Sequence, residues 1–267
     1  MSNGAIPDGS SDHDLLVVRE DSGRQGTVVT LRMDDAPVNA LSADLCRSLI
    51  GHLEILADDA SRAVVITGTG SMFSAGADLR TVLEGGAAYL AEFLPALSEL
   101  FSTIFSFPKP VIAAVNGHAL AGGCILAAAA DFRIMSTGRG KIGLPELKAG
   151  VPFPRIAIEV LEYAIGAPAT RRLVLSAKPL TPESALAHGL VDELADPAEL
   201  LDRAQELAEE LATTIPVDVY AATKDQLTRV AVDRGRRLGD ASAVAELWNR
   251  RVADGWTAAY MNALTRR

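Results

Sequence analysis

Apolar positions along the chain follow two rhythms, short continuous runs and helical spacing, and they alternate. The runs Leu15-Leu16-Val17-Val18 and Thr27-Val28-Val29-Thr30-Leu31 flank the cluster Asp21-Ser22-Gly23-Arg24-Gln25-Gly26, which predicts two strands joined by a turn. Ser42 is placed to cap a helix reaching about Ala57, with Leu45, Leu49, Leu53 and Leu56 on one face. Ala63-Val64-Val65-Ile66-Thr67 reads as a buried strand, followed by a glycine-rich loop over 68–78 and a helix over roughly 87–105. Val111-Ile112-Ala113-Ala114-Val115 is a further buried strand, Asn116-Gly117-His118 a turn, 122–130 a helix of small residues, and Phe132-Arg133-Ile134-Met135 another strand. Beyond Pro154 the strand signal fades and helical segments are expected at 154–166, 168–175, 183–188, 197–213 and from Pro216 almost to the end. The alternation predicts an α/β fold with a largely parallel sheet. It divides the chain into a leader at 1–13, expected to be disordered, an α/β core at 14–196 and a helical C-terminal region at 197–267.

Composition narrows the picture. At 267 residues, 49% hydrophobic and 22% charged, the chain is long and apolar enough for a sizeable core. Aromatics are only 5%, so that core rests on Ala, Val, Leu and Ile. A net charge of −9 argues against a nucleic-acid partner, which needs a basic face. The most apolar stretch, 119–130, falls short of the roughly 20 residues that cross a bilayer, and the polar start lacks a signal peptide's apolar segment. Two cysteines, Cys46 and Cys124, make neither a disulfide framework nor a zinc site, so a reducing cytoplasm is expected.

Two loops stand out chemically. Phe73-Ser74-Ala75-Gly76-Ala77-Asp78-Leu79 and Asn116-Gly117-His118-Ala119-Leu120-Ala121-Gly122-Gly123-Cys124 each follow a strand and lead into a helix. Small side chains let a ligand approach the main chain, and N–H groups at helix starts lack partners. Either loop alone reads as tight helix–strand packing. Brought together, they supply two amides for an oxyanion. Glu146, in the apolar segment Ile142-Gly143-Leu144-Pro145-Glu146-Leu147, is a candidate base, since apolar surroundings raise a carboxyl pKa toward neutrality. Asp78 is placed to cap or brace its loop, and His118 to be held by backbone.

At these loops and at Glu146 the sequence resembles the crotonase superfamily, the enoyl-CoA hydratase/isomerase family. Further matching segments are Pro110-Val111-Ile112-Ala113, Asp131-Phe132-Arg133-Ile134 and Ala187-His188-Gly189-Leu190-Val191-Asp192. The resemblance implies a spiral of ββα units with an α-helical C-terminal trimerisation region, assembled as a homotrimer or dimer of trimers. It implies a coenzyme A thioester as substrate and no metal or redox cofactor. Its carbonyl oxygen would be held by the N–H groups of Ala77 and Gly122. The segment Ala75, Gly76, Ala77, Asp78 and Leu79 would line the CoA site, with main-chain carbonyls reading the adenine.

The sequence departs from the family's hydratases at one telling position. Those enzymes hold water between two glutamates; here the second loop is followed by Ile125, and only Glu146 remains. One carboxylate suffices to carry a proton from C2 to C4 of a 3-enoyl thioester, so the chain is most similar to the family's Δ3,Δ2-enoyl-CoA isomerases. A hydratase or another lyase or hydrolase using Glu146, and a non-catalytic acyl-CoA-binding protein, are the alternatives. A second departure is Asp34-Asp35-Ala36-Pro37, where many members carry a basic residue, which points phosphate contacts toward Lys109, Lys224 or arginines of a neighbouring tail.

Overall fold

The computed structural model describes residues 17–22, 27–238 and 241–265. The expected leader at 1–13, Leu15 and Leu16, and the turn residues 23–26 lie outside the described residues. β1 (Val17–Ser22) runs antiparallel to β2 (Val28–Met33), with Val17 opposite Met33 and Ser22 opposite Val28. After the two-residue β3 (Ala40–Leu41) comes α1 (Ala43–Asp58), whose cap Ser42 accepts a hydrogen bond from the Leu45 N–H at 3.0 Å. Leu45, Leu49, Leu53 and Leu56 are all fully buried.

From β4 the chain repeats one unit. β4 (Ala63–Gly68), β5 (Met72–Ser74), β6 (Gly76–Ala77) and α2 (Leu79–Phe105) form its first turn. β7 (Val111–Val115), β8 (His118–Leu120) and α3 (Gly122–Ala129) form the second. β9 (Phe132–Ser136), β10 (Ile142–Gly143) and the short α4 (Glu146–Ala149) form the third. Each turn adds a parallel strand to the large sheet, in the order β4-β7-β9, and another to a small sheet, in the order β5-β8-β10. This stepwise advance is the expected spiral of ββα units.

The remaining helices are α5 (Arg155–Ser176), kinked at Gly166, and α6 (Pro182–Ala187). β11 (Glu193–Ala195) then joins the sheet parallel to β9, a strand where the sequence pattern predicts none. α7 (Leu200–Thr214), α8 (Val217–Arg237), α9 (Ala241–Ala253) and α10 (Trp256–Thr265) complete the described residues. α2 starts eight residues earlier than its periodicity predicts, because its first part is set off by the non-helical Gly86.

Strand side chains alternate between faces, so both faces of the large sheet must be covered. Val29, Leu31, Val64, Ile66, Val111 and Ala113 join the core formed with α1, α2 and α3. Val28, Val65, Ile112 and Ala114 turn the other way and pack on Leu200, Ala204, Ala208 and Ala212 of α7. The four-residue spacing of those alanines puts them on one side of the helix and lets it lie close to the sheet.

Two buried ion pairs tie helices to this framework. Lys224 of α8 reaches Asp131 Oδ2 at 2.8 Å, and the same oxygen accepts the Val111 N–H at 2.8 Å. Lys109 donates to the carbonyls of Leu56 and Asp59 at the end of α1. Both lysines are almost wholly buried, at 4% exposure for Lys109 and 6% for Lys224. Burial lowers both ammonium pKa values, against the neighbouring Asp59 and Asp131.

Candidate active site

The two small-residue loops meet because the short sheets hold them. Ser74 Oγ donates to the Asn39 carbonyl at 2.7 Å and accepts the Gly76 N–H at 3.1 Å. β6 then runs parallel to β3, pairing Gly76 with Ala40 and Ala77 with Leu41. Asp78 N–H donates to the Leu41 carbonyl at 3.0 Å, while its carboxylate caps α2 by accepting the N–H groups of Arg80 at 3.0 Å and Thr81 at 3.2 Å. The bracing role expected for Asp78 is what the structure shows.

On the second loop, Ala121 N–H donates to Gly143 O at 2.9 Å, and the residue adopts φ 52° and ψ −127°. Such a conformation costs a non-glycine residue about 1–3 kcal/mol and persists only where its surroundings impose it. It turns the chain from β8 into α3, so that Gly122 heads the helix with an N–H that has no acceptor inside it. Gly76 sits against this turn. A Cβ there would stand 2.8 Å from Gly122 N and 2.6 Å from Ala121 Cβ. Ala77 and Gly122 are thereby neighbours on the wall of one cavity of about 820 Å³.

That cavity collects the expected residues. Ala75, Ala77, Asp78, Leu79, Gly122, Ile125 and Glu146 all line it; Gly76 does not, and serves instead to let the loops approach. His118 opens β8 and is not a lining residue. Ile125 is 1% exposed and Glu146 7%. Glu146 begins α4, and its Oε2 is buried without a hydrogen-bond partner. Burial raises its carboxyl from 4.5 to about 8, with a hydrogen bond from its own N–H opposing the shift.

This shift has a consequence for stability. The folded pKa lies above the unfolded value, so between about 4.5 and 8 the folded protein keeps a proton that the unfolded chain has released. The associated stability is complete below the lower value and is lost as pH rises through the upper one. Urea melts at about pH 5 and about pH 9 are expected to show a larger loss for wild type than for Glu146→Gln. Equal losses in the two proteins would contradict the placement of Glu146.

Two expectations are corrected. Lys109 and Lys224 are locked in the framework and do not line the cavity, so neither supplies a phosphate contact there. Arg80 and Lys148 do line it, and both are exposed. The sequence reading also missed the C-terminal part of the wall: Trp248 of α9, and Tyr260, Met261 and Leu264 of α10. Their apolar periodicity was visible, but amphipathic spacing does not say whether a helix faces core, partner or cavity. Among the described residues no three His, Cys, Asp or Glu side chains gather to hold a metal ion, and no helix is long and apolar enough to cross a membrane.

A ββα spiral with paired helix-start loops and a buried carboxyl defines an enzyme of the crotonase superfamily. The chain belongs to the enoyl-CoA hydratase/isomerase family, whose sequence profile matches residues 23–243. It is 32% identical over 233 residues to the short-chain-enoyl-CoA hydratase of Clostridium acetobutylicum, covering 86% of this chain and 85% of that protein. It is 36% identical over 212 residues to the carnitinyl-CoA dehydratase of Salmonella arizonae, covering 79% and 80%. Human mitochondrial Δ3-Δ2-enoyl-CoA isomerase superposes with a TM-score of 0.84 at 26% identity, over 94% of this chain and 97% of the human one.

Proposed function

We propose that this enzyme is a Δ3,Δ2-enoyl-CoA isomerase. The observation carrying this reading is a buried carboxyl, Glu146, whose Oε2 has no hydrogen-bond partner, sharing its cavity with Ile125, where the resemblance places the hydratases' second glutamate. Ionised Glu146 removes a proton from C2 of a 3-enoyl thioester. The electron pair of that C–H bond moves into the thioester carbonyl, and the enolate oxygen is held by the Ala77 and Gly122 N–H groups. The enolate then collapses: C4 takes the proton back from Glu146, and the double bond settles between C2 and C3. No water enters, and the apolar wall of Ile125, Leu97 and Phe101 helps to keep it out.

A carboxyl raised to about 8 suits both halves of this transfer. CoA enters as part of the substrate, and the reaction calls on no other cofactor. Arg80 and Lys148 are the cations placed to meet its phosphates. The same reading gives a homotrimer or dimer of trimers, supported by Val219, Leu227 and Val230 standing exposed on α8. Two buried free thiols, Cys46 and Cys124, are in keeping with a cytoplasmic location.

The relatives named hydratase and dehydratase favour a second reading, water addition to a 2-enoyl thioester by Glu146 with another group. A paired assay separates the two, following the ultraviolet absorbance of the conjugated thioester. Absorbance is expected to rise with a 3-enoyl-CoA and to stay flat with a 2-enoyl-CoA. A fall in the second cuvette means hydration. No change in either, with acyl-CoA still bound, means a binding protein.

A further inference from the structure

The C-terminal helix is clamped onto the helix that carries Glu146. Trp256 of α10 donates its indole N–H to the Lys148 carbonyl of α4 at 2.9 Å. Gly150, which ends α4 at φ 81°, leaves room for that ring: a Cβ there would stand 2.6 Å from Trp256 Cδ1. One turn further along α10, Tyr260 reaches the wall of the cavity that Glu146 also lines.

Four side chains on that wall carry N–H or O–H donors: Arg80, Lys148, Trp248 and Tyr260. Arg80 and Lys148 are exposed. The Trp248 indole N–H is engaged by the Pro152 carbonyl at 3.3 Å. Tyr260 is left, half-buried and packed against the main core. Burial first, and the charge of Glu146 second, oppose ionisation of its phenol, which keeps it a donor. A donor without a partner among the described residues and a buried acceptor without one thus face a single cavity from two clamped helices.

We propose that Tyr260 is a positioning residue of the active centre, its hydroxyl donating a hydrogen bond to Oε2 of ionised Glu146 and fixing how the carboxylate meets the substrate. The proposal rests on Glu146 being the base, yet it concerns a contact that ionisation of Glu146 brings about without turnover, since Oε2 has no partner in the resting geometry. Of the other titratable groups nearby, Asp78 of the cavity wall caps α2, and Asp35 stands beside it. The Cys124 thiol of α3 is held protonated by burial. Arg251 of α9, which packs on Gly150, is paired with Asp254 at 2.7 Å. Arg155 of α5 is paired with Glu159, and Lys148 lies on the base's own helix.

The test is a carbon-13 NMR titration of the glutamate carboxyls in the full chain, with the Glu146 signal assigned by its loss in Glu146→Gln. Tyr260→Phe keeps the ring and removes only the hydroxyl. A hydrogen bond to a charged group favours the ionised form, so the Glu146 midpoint is expected to move upward by about one to two pH units in the variant. On whichever enoyl-CoA the wild type turns over, kcat is expected to fall about tenfold or more while KM stays within about twofold. An unchanged midpoint overturns the proposal whatever the activity shows. A shifted midpoint in a protein inactive on every enoyl-CoA upholds the contact and removes the isomerase reading instead.

Discussion

Glu146→Gln is expected to lower kcat on a 3-enoyl-CoA by about 100- to 10,000-fold, the range that general acid–base catalysis supplies. In the proposed isomerisation one group performs both proton transfers, so the upper part of that range is expected. Among the carboxylates lining the cavity, Asp78 caps α2 and Asp35 stands beside it, with burial and the Asp78 charge raising its pKa. Neither is placed to take over. Glutamine has the same shape as glutamate and removes a charge that burial already disfavours, so the variant is expected to fold at least as stably as wild type. Acyl-CoA affinity, read by calorimetry, is expected to stay within a few-fold, because the two small-residue loops and the apolar wall are untouched. Turnover within tenfold of wild type in a clean preparation would mean that Glu146 is not the base.

Legibility of the fold depended on how far each signal reaches along the chain. α1 was plain because its cap and four leucines all lie within fifteen residues. β4 and β7 were plain because burial on both faces writes a continuous apolar run. β5, β6, β8 and β10 have two or three residues each, too few for any period, and in sequence they read only as loops. β11 escaped for the same reason, and its Glu193 is half-exposed and paired with Arg203.

The candidate site divides in the same way. Its loops and its carboxyl announced themselves through local composition. Its framework cations did not: Asp59 and Asp131, which make burial of Lys109 and Lys224 tolerable, lie 50 and 93 residues away. A lysine read without its distant partner looks solvated. The wall supplied by Trp248 and Tyr260 was hidden likewise, since it depends on α9 and α10 folding back over α2 and α4 of the same chain.

Gly76→Ala is expected to lower kcat/KM by about 100- to 1,000-fold, comparable to removing one donor from an oxyanion hole. The reason is collision, and a second glycine isolates it. At Gly76, with φ 82°, an added methyl meets Leu120 O at 2.7 Å, Gly122 N at 2.8 Å and Ala121 Cβ at 2.6 Å, all on the other loop. None is the free end of a flexible side chain, so the two loops must separate and the Ala77 and Gly122 amides lose their alignment. Gly70 has a similar φ of 63°, but a methyl there meets nothing within 4 Å. Both alanines therefore carry the left-handed backbone penalty of about 1–2 kcal/mol, visible in urea melts, and only one carries the clash. Gly70→Ala is expected to keep kcat/KM within about twofold while its stability falls by about that penalty. Equal loss of activity in the two variants would reduce the effect at Gly76 to general destabilisation. A normal rate in Gly76→Ala would show that the amides tolerate separation and that the oxyanion is held elsewhere.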